Sequence, residues 1–168
     1  RHTRCLSDWS SDVCSSDLNV LASSLNLTSE TGSITDAIGT VLVVTNNATL
    51  TTSAAGQAIT LGDDVTDVTT FGTLTFVSTG AVSISENDAT DLSGNNSANS
   101  LVLISETATI NDAAGTTLNV TNNAAFTTPA AGQAITLGDN AGDTTNFGSL
   151  TFTSTGAVSI SEDSGTDR

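Results

Sequence analysis

Apolar and polar residues alternate in short runs along most of the chain. Leu25-Asn-Leu27, Leu42-Val-Val44, Ile59-Thr-Leu61 and Leu74-Thr-Phe76 each put two apolar side chains on one face. A period of two marks a half-buried strand. Second strands follow after short turns, at Ile34, at Ala48 and Leu50, and at Val82-Ser-Ile84. Gly32, Gly39, Asn46-Asn47, Gly56 and Gly80 punctuate them, and the Asn pair reads as a corner. No stretch sustains the 3.6-residue period of a helix. Thr fills 30 of the 150 residues from 19 to 168, and β-branched residues favour a pleated surface. The pattern predicts an all-β chain.

The strands belong to a repeat. GQAITLGD at 56–63 returns at 132–139, and FGTLTFVSTGAVSISE at 71–86 returns as FGSLTFTSTGAVSISE at 147–162. The offset is 76 in both cases. Residues 23–91 and 99–167 align at that offset with 47 identities in 69 positions and no gap. Within a module, strands start near Leu25, Leu42, Ile59, Leu74 and then Leu101, which divides the module into four rungs at intervals of 17, 17, 15 and 27 residues, 19 on average. Such rungs cannot bury an apolar face alone but can do so by stacking. The expected fold is a parallel β-solenoid of about eight rungs in two 76-residue modules, with tandem β-sandwich modules as the alternative. The expected core is Leu25, Leu27, Ile34, Leu42, Val44, Ile59, Leu61, Leu74, Phe76, Val82, Ile84 and their counterparts. The polar stretch 87–100 (NDATDLSGNNSANS) reads as a loop leaving the solenoid wall.

Composition separates the first 18 residues from the rest. Both Cys (Cys5, Cys14), the only Trp (Trp9), the only His (His2), and Arg1 and Arg4 lie there. Arg1-His2-Thr3-Arg4, then three variable residues, then DWSSDVCSSDL (8–18) resembles the translation of a sequencing adapter carrying a barcode. Asp167-Arg168 matches the opposite adapter's reading over two residues, of which Asp167 also matches Asp91 in the module repeat. The resemblance implies that 1–18 is foreign, and that Cys5 and Cys14 form neither a disulfide nor a metal pair. The division expected is 1–18 adapter-derived, 19–94 first module and 95–168 second module. Without Met, the chain reads as a segment of a longer protein. Its formal charge of −15 argues against partners rich in phosphate, nucleic acid above all. It also argues against anionic membrane surfaces, and no apolar run reaches the length of a spanning helix.

SLNLTSETGSITDA (24–37), TLTFVSTGAVSISE (73–86) and SLVLISETATINDAAGT (100–116) resemble the repeats of filamentous-haemagglutinin and autotransporter-type bacterial adhesins. That resemblance implies a right-handed parallel β-helix, export to the bacterial surface or beyond, and a stalk or scaffold role in adhesion. It also implies that host or environmental glycans and proteins are bound through regions outside this segment.

Several side-chain groups carry possible chemistry. Asp63, Asp64 and Asp67 in LGDDVTDVTTFG, with Asp139, Asn140 and Asp143 in LGDNAGDTTNFG, could converge on a hard cation such as calcium, which takes six to eight oxygens. The spacing is not an EF-hand loop, so solvated turns are the competing reading. Paired acids recur at Glu30/Glu106, Asp36/Asp112, Asp63/Asp139, Asp67/Asp143 and Glu86/Glu162. A carbohydrate-active solenoid would need two carboxylates in one cleft, whereas a catalytic site breaks repeat symmetry and these acids obey it. Residues 19–168 lack His, Lys, Cys and Tyr, which leaves only carboxylates as bases and nearly excludes activation of a nucleophile. The chain is therefore expected not to be an enzyme and to need no cofactor beyond a possible calcium ion. T-x-T pairs at Thr49/Thr51, Thr73/Thr75 and Thr151/Thr153 would suit ice binding if they aligned on one flat face.

Overall fold

A computed structural model describes residues 20–163; the adapter-like 1–18 and Asp167-Arg168 lie outside them. The first half holds β1 (Val20–Ala22), β2 (Leu25–Ser29), β3 (Ile34–Thr35), β4 (Val41–Thr52), β5 (Ile59–Leu61), β6 (Val68–Val77) and β7 (Ala81–Glu86). Then come β8 (Thr90–Leu92), β9 (Asn95–Ala98), β10 (Ser100–Ser105) and β11 (Ile110–Asp112). The last four are β12 (Thr117–Thr128), β13 (Ile135–Leu137), β14 (Thr144–Ser154) and β15 (Val158–Ile160). Among the described residues there is no helix, and so none long and apolar enough to cross a membrane.

Every strand pairing is parallel. Parallel neighbours need a crossover between them, and here each crossover is the rest of one coil. The chain is a β-solenoid of about six turns, which excludes the antiparallel sandwich. Each turn has three sides. One side runs Ile34, Ile59, Val82, Leu101, Ala124, Leu150 from turn to turn. Most of the steps along it are longer than the expected rung, so the turns are fewer than eight. Leu25, Leu42 and Ile59, which look like successive rung starts, sit on three different sides of the coil.

This side also shows how the modules join. Ile34, Ile59 and Val82 form the third side of the first module. They continue directly into Leu101, Ala124 and Leu150, which are the repeat counterparts of Leu25, Ala48 and Leu74 on the second side. Likewise the second side passes from Val77 through Ser97 to Asn119 and Asn146, counterparts of first-side residues. A module therefore covers three and a third turns, and the second module is rotated by a third of a turn about the axis. The extra third comes from 87–100, which is wall rather than loop. Thr90 pairs Ile110 and Leu92 pairs Leu74. Leu92, Asn96 and Ala98 are buried. Polarity misled here because the buried amide of Asn96 replaces ladder bonds: its Oδ1 accepts from Phe76 N at 2.9 Å, and its Nδ2 donates to Ser93 O at 3.1 Å.

The core is a column of stacked apolar side chains inside the coil. Leu50, Leu74, Phe76, Ile59, Leu101, Leu103, Phe126 and Leu137 are fully buried. Phe126 and Phe147 pack with ring centroids 5.7 Å apart. Asn46-Asn47 and Asn122-Asn123 form the expected corners, where the register shifts. Asn47 Oδ1 accepts from Thr73 Oγ1 at 2.9 Å, and Asn123 Oδ1 from Ser149 Oγ at 3.0 Å. Gly72 marks a close approach: a Cβ there would lie 2.2 Å from Thr45 O on the turn below.

Candidate functional site

With no basic side chain between 20 and 163, each carboxylate must find its partners in N–H and O–H groups or water. Most find backbone N–H groups, and several do so between turns. Asp67 is buried. Its Oδ1 accepts from Gly39 N at 2.7 Å and Thr40 N at 3.0 Å, on the preceding turn, and its Oδ2 accepts from Asp64 N at 3.0 Å. Asp36 Oδ2 accepts from Gly62 N at 2.8 Å, reaching the following turn. Asp36, Asp63 and Asp67 thereby form a triad with carboxylate oxygens within 4.8 Å of one another. Burial raises the Asp36 carboxyl above its ordinary value, the Gly62 N–H opposes this, and the charges of Asp67 and Asp63 add to it.

The second module repeats the arrangement with Asp112, Asp139 and Asp143. Asp143 accepts from Gly115 N at 2.7 Å, Thr116 N at 3.1 Å and Asn140 N at 2.8 Å. Asp112 Oδ2 accepts from Gly138 N at 2.9 Å. Burial again is the main cause that raises the Asp112 carboxyl. Because of the third-turn rotation, the two triads sit on different corners of the rod.

Of the sequence candidates, Asp63, Asp67, Asp139 and Asp143 come together and Asp64 does not. Asp64 Oδ1 accepts from Thr66 N at 2.9 Å and Thr66 Oγ1 at 2.6 Å, and these bonds hold its carboxyl below the ordinary value. It is a turn residue. Asp36 and Asp112 take its place. They precede Asp63 and Asp139 by one turn of the coil, a separation that carries meaning only once the turn length is known. For a hard cation the triad offers few free lone pairs, because three backbone N–H groups already occupy Asp67. It falls short of a calcium shell of six to eight oxygens on its own.

A shallow groove of about 430 Å³ runs past the first triad, with Asp63, Asp64, Asp67, Ser83, Asn87 and Glu106 on its walls. Acids from neighbouring turns do converge here, as a carbohydrate-active solenoid would require. The same triad geometry recurs in the second module, and each triad has one member bound to the backbone through both oxygens. The T-x-T residues align only in part: Thr49 pairs Thr75, but Thr51 pairs Val77, Thr73 pairs Asn47, and Thr151 and Thr153 lie on another side of the coil. The outward row on the continuous side reads Thr35, Thr60, Ser83, Val102, Ala125, Thr151, so Thr is interrupted at its centre.

Glu86 is the acid most altered by the fold. It is fully buried, and Oε2 accepts from Phe71 N at 3.0 Å. Burial pushes its carboxyl from the usual 4.5 up to about 8. Contact with Thr90 and Phe71 N opposes that rise, and the charges of Asp88 and Asp91 reinforce it. Between those two values the folded chain holds a proton that the unfolded chain has released. The contribution of Glu86 to stability is therefore full below pH 4.5 and is lost as pH rises to about 8, at up to about 1.4 kcal/mol per pH unit. Asp36 and Asp112 act with the same sign. Urea unfolding of the parent chain is expected to show a falling midpoint between pH 5 and 8, and Glu86→Gln a flatter profile. Parallel profiles would contradict the assignment to Glu86.

No family model, curated protein or solved structure matches the chain.

Proposed function

We propose that the chain is a stalk or scaffold segment of a secreted or surface-displayed bacterial adhesin-like protein, without catalytic activity of its own. One observation carries this reading: three of the five acid pairs that obey the module repeat are spent on joining turns. Asp36, Asp67 and Glu86 bond backbone N–H groups, as do Asp112, Asp143 and Glu162 in the second module. Side chains committed in this way stiffen a rod. At about 4.8 Å per turn, each module of three and a third turns adds roughly 16 Å to its length. The excess negative charge discourages lateral association of such rods. An antibody raised against the folded chain tests the reading: it should label intact producing cells or their culture supernatant. Labelling confined to permeabilised cells would overturn export and the stalk role with it.

A further inference from the structure

Exposed apolar side chains of the first module gather where its first side meets the preceding corner. Val41 and Val43 point outward from β4, and Val41 lies opposite Val68 on the next turn, itself 38% exposed. Ile38 and Val65 stand at the tips of the corners that lead into these strands, 78% and 101% exposed. Asp67 ties the two corners together, because its Oδ1 accepts from Gly39 N and Thr40 N and its Oδ2 from Asp64 N. Val65 and Val68 belong to an inner turn. Val68 N donates to Thr40 O on the turn below, and Thr69 O accepts from Asn87 N on the turn above. Their exposure is therefore that of outward positions and does not depend on where the coil begins or ends. Apolar residues scattered singly are ordinary on a surface, whereas a group on two adjacent turns marks a contact.

The repeat supplies an internal control. The counterparts of Ile38, Val41, Val43, Val65 and Val68 are Ala114, Thr117, Asn119, Ala141 and Thr144. All five are smaller or polar, although 47 of 69 aligned positions are identical between the modules. The corners nonetheless keep their form. Asp143 accepts from Gly115 N, Thr116 N and Asn140 N as Asp67 does from the corresponding groups. Neither corner nor strand requires the larger side chains, and this face breaks the symmetry that the acids obey. Charge identifies what covers it. The groove of about 430 Å³ opens beside Val65, with Asp63, Asp64, Ile104 and Glu106 among its walls. No basic side chain between 20 and 163 neutralises these acids. A second copy of the chain would bring its own carboxylates against them, which like-charge repulsion disfavours. We propose that this face of the first module docks a cationic segment of another protein, in which apolar side chains alternate with Lys or Arg. The apolar side chains cover Ile38, Val65 and Val68, and the basic ones enter the groove beside Asp63, Asp64 and Glu106. This contact goes beyond the stalk role and does not depend on it.

Fluorescence anisotropy with two short labelled peptides of equal length and charge tests this, one alternating Leu and Lys and the other alternating Ser and Lys. The parent chain, kept reduced, is expected to bind the Leu–Lys peptide about tenfold more tightly than the Ser–Lys peptide. A variant with Ile38→Ala, Val41→Thr, Val65→Ala and Val68→Thr gives the first module the residues with which the second already folds, at unchanged net charge. It should bind both peptides equally, with a circular dichroism spectrum like the parent's. Asp63→Asn combined with Glu106→Gln should weaken both peptides and keep the preference for Leu. A parent chain without that preference would overturn the proposal. So would a four-residue variant that retains it, or a charge variant that binds as the parent does.

Discussion

Phe76→Ala should cost about 3–5 kcal/mol of unfolding free energy, and Phe152→Ala only about 1 kcal/mol. The two residues occupy the same place in the repeat and belong to the same strand motif. They differ in what lies above them. Phe76 is fully buried, with Leu50 paired to it from the turn below and the Asn96 amide bonded to its backbone N–H. Removing its ring leaves a cavity that rigid, hydrogen-bonded turns on either side cannot collapse, the condition under which large-to-small changes are most destabilising. Phe152 pairs Phe126 on one side only and is half exposed, so much of its ring never left water. Chemical denaturation of the two variants and the parent chain provides the comparison. Equal losses would mean that Phe152 is covered in the monomer, which the stacking order does not allow.

The second large effect concerns Asp67. Asp67→Ala removes the acceptor for three backbone N–H groups at once, those of Gly39, Thr40 and Asp64. Thr40 is itself buried, so water does not readily take over there, although its N–H keeps Ala37 O at 3.1 Å as a second acceptor. A buried donor left without a partner costs about 1–3 kcal/mol, and because Gly39 is exposed and Asp64 half-buried a total loss of about 2–3 kcal/mol is expected. Asp143→Ala breaks the equivalent bonds, but Asp143 is only half-buried, and a loss of about 1–2 kcal/mol is expected because water reaches the freed groups. Asp67→Asn keeps an oxygen for the preceding turn and should fall between them. If Asp67→Ala instead proved neutral, these acids would not be the joints between turns, and the structural reading of the repeat-symmetric carboxylates would fail with it.

The strands themselves were legible from alternation alone. Leu25-Asn-Leu27, Ile59-Thr-Leu61 and Leu74-Thr-Phe76 all lie in strands with the apolar pair inward. The module repeat was also legible, since near-identity over so long a stretch admits one alignment. The stacking order was not. Every side of the coil uses the same L-x-L grammar, so the sequence does not distinguish the next side from the next turn. The nearly even local spacings therefore passed for turns, which are mostly longer. The same blindness hid Asp36 from its triad, because it joins Asp63 and Asp67 only across one full turn. The stretch 87–100 failed for a different reason. Asn96 and Thr90 look like loop residues, but a buried Asn amide carries enough donors and acceptors to close a ladder that has lost its regular register, and Thr90 sits in a strand paired to Ile110. The burial of Glu86 had no local signal beyond its place at the end of an alternating strand, where its inward position follows from parity with Val82 and Ile84.

Disulfide trapping across the module junction tests the central claim, that a module spans three and a third turns. In a background of Cys5→Ser and Cys14→Ser, one variant carries Ser83→Cys with Val102→Cys, and another carries Thr75→Cys with Val102→Cys. Ser83 and Val102 are register partners on adjacent turns, about 4.8 Å apart, within the span that a disulfide accepts. Thr75 is the neighbour that Val102 would have if each module were a whole number of turns. Rapid bridging of 83 to 102 with none between 75 and 102 is the predicted result. Bridging of 75 to 102 instead would contradict it.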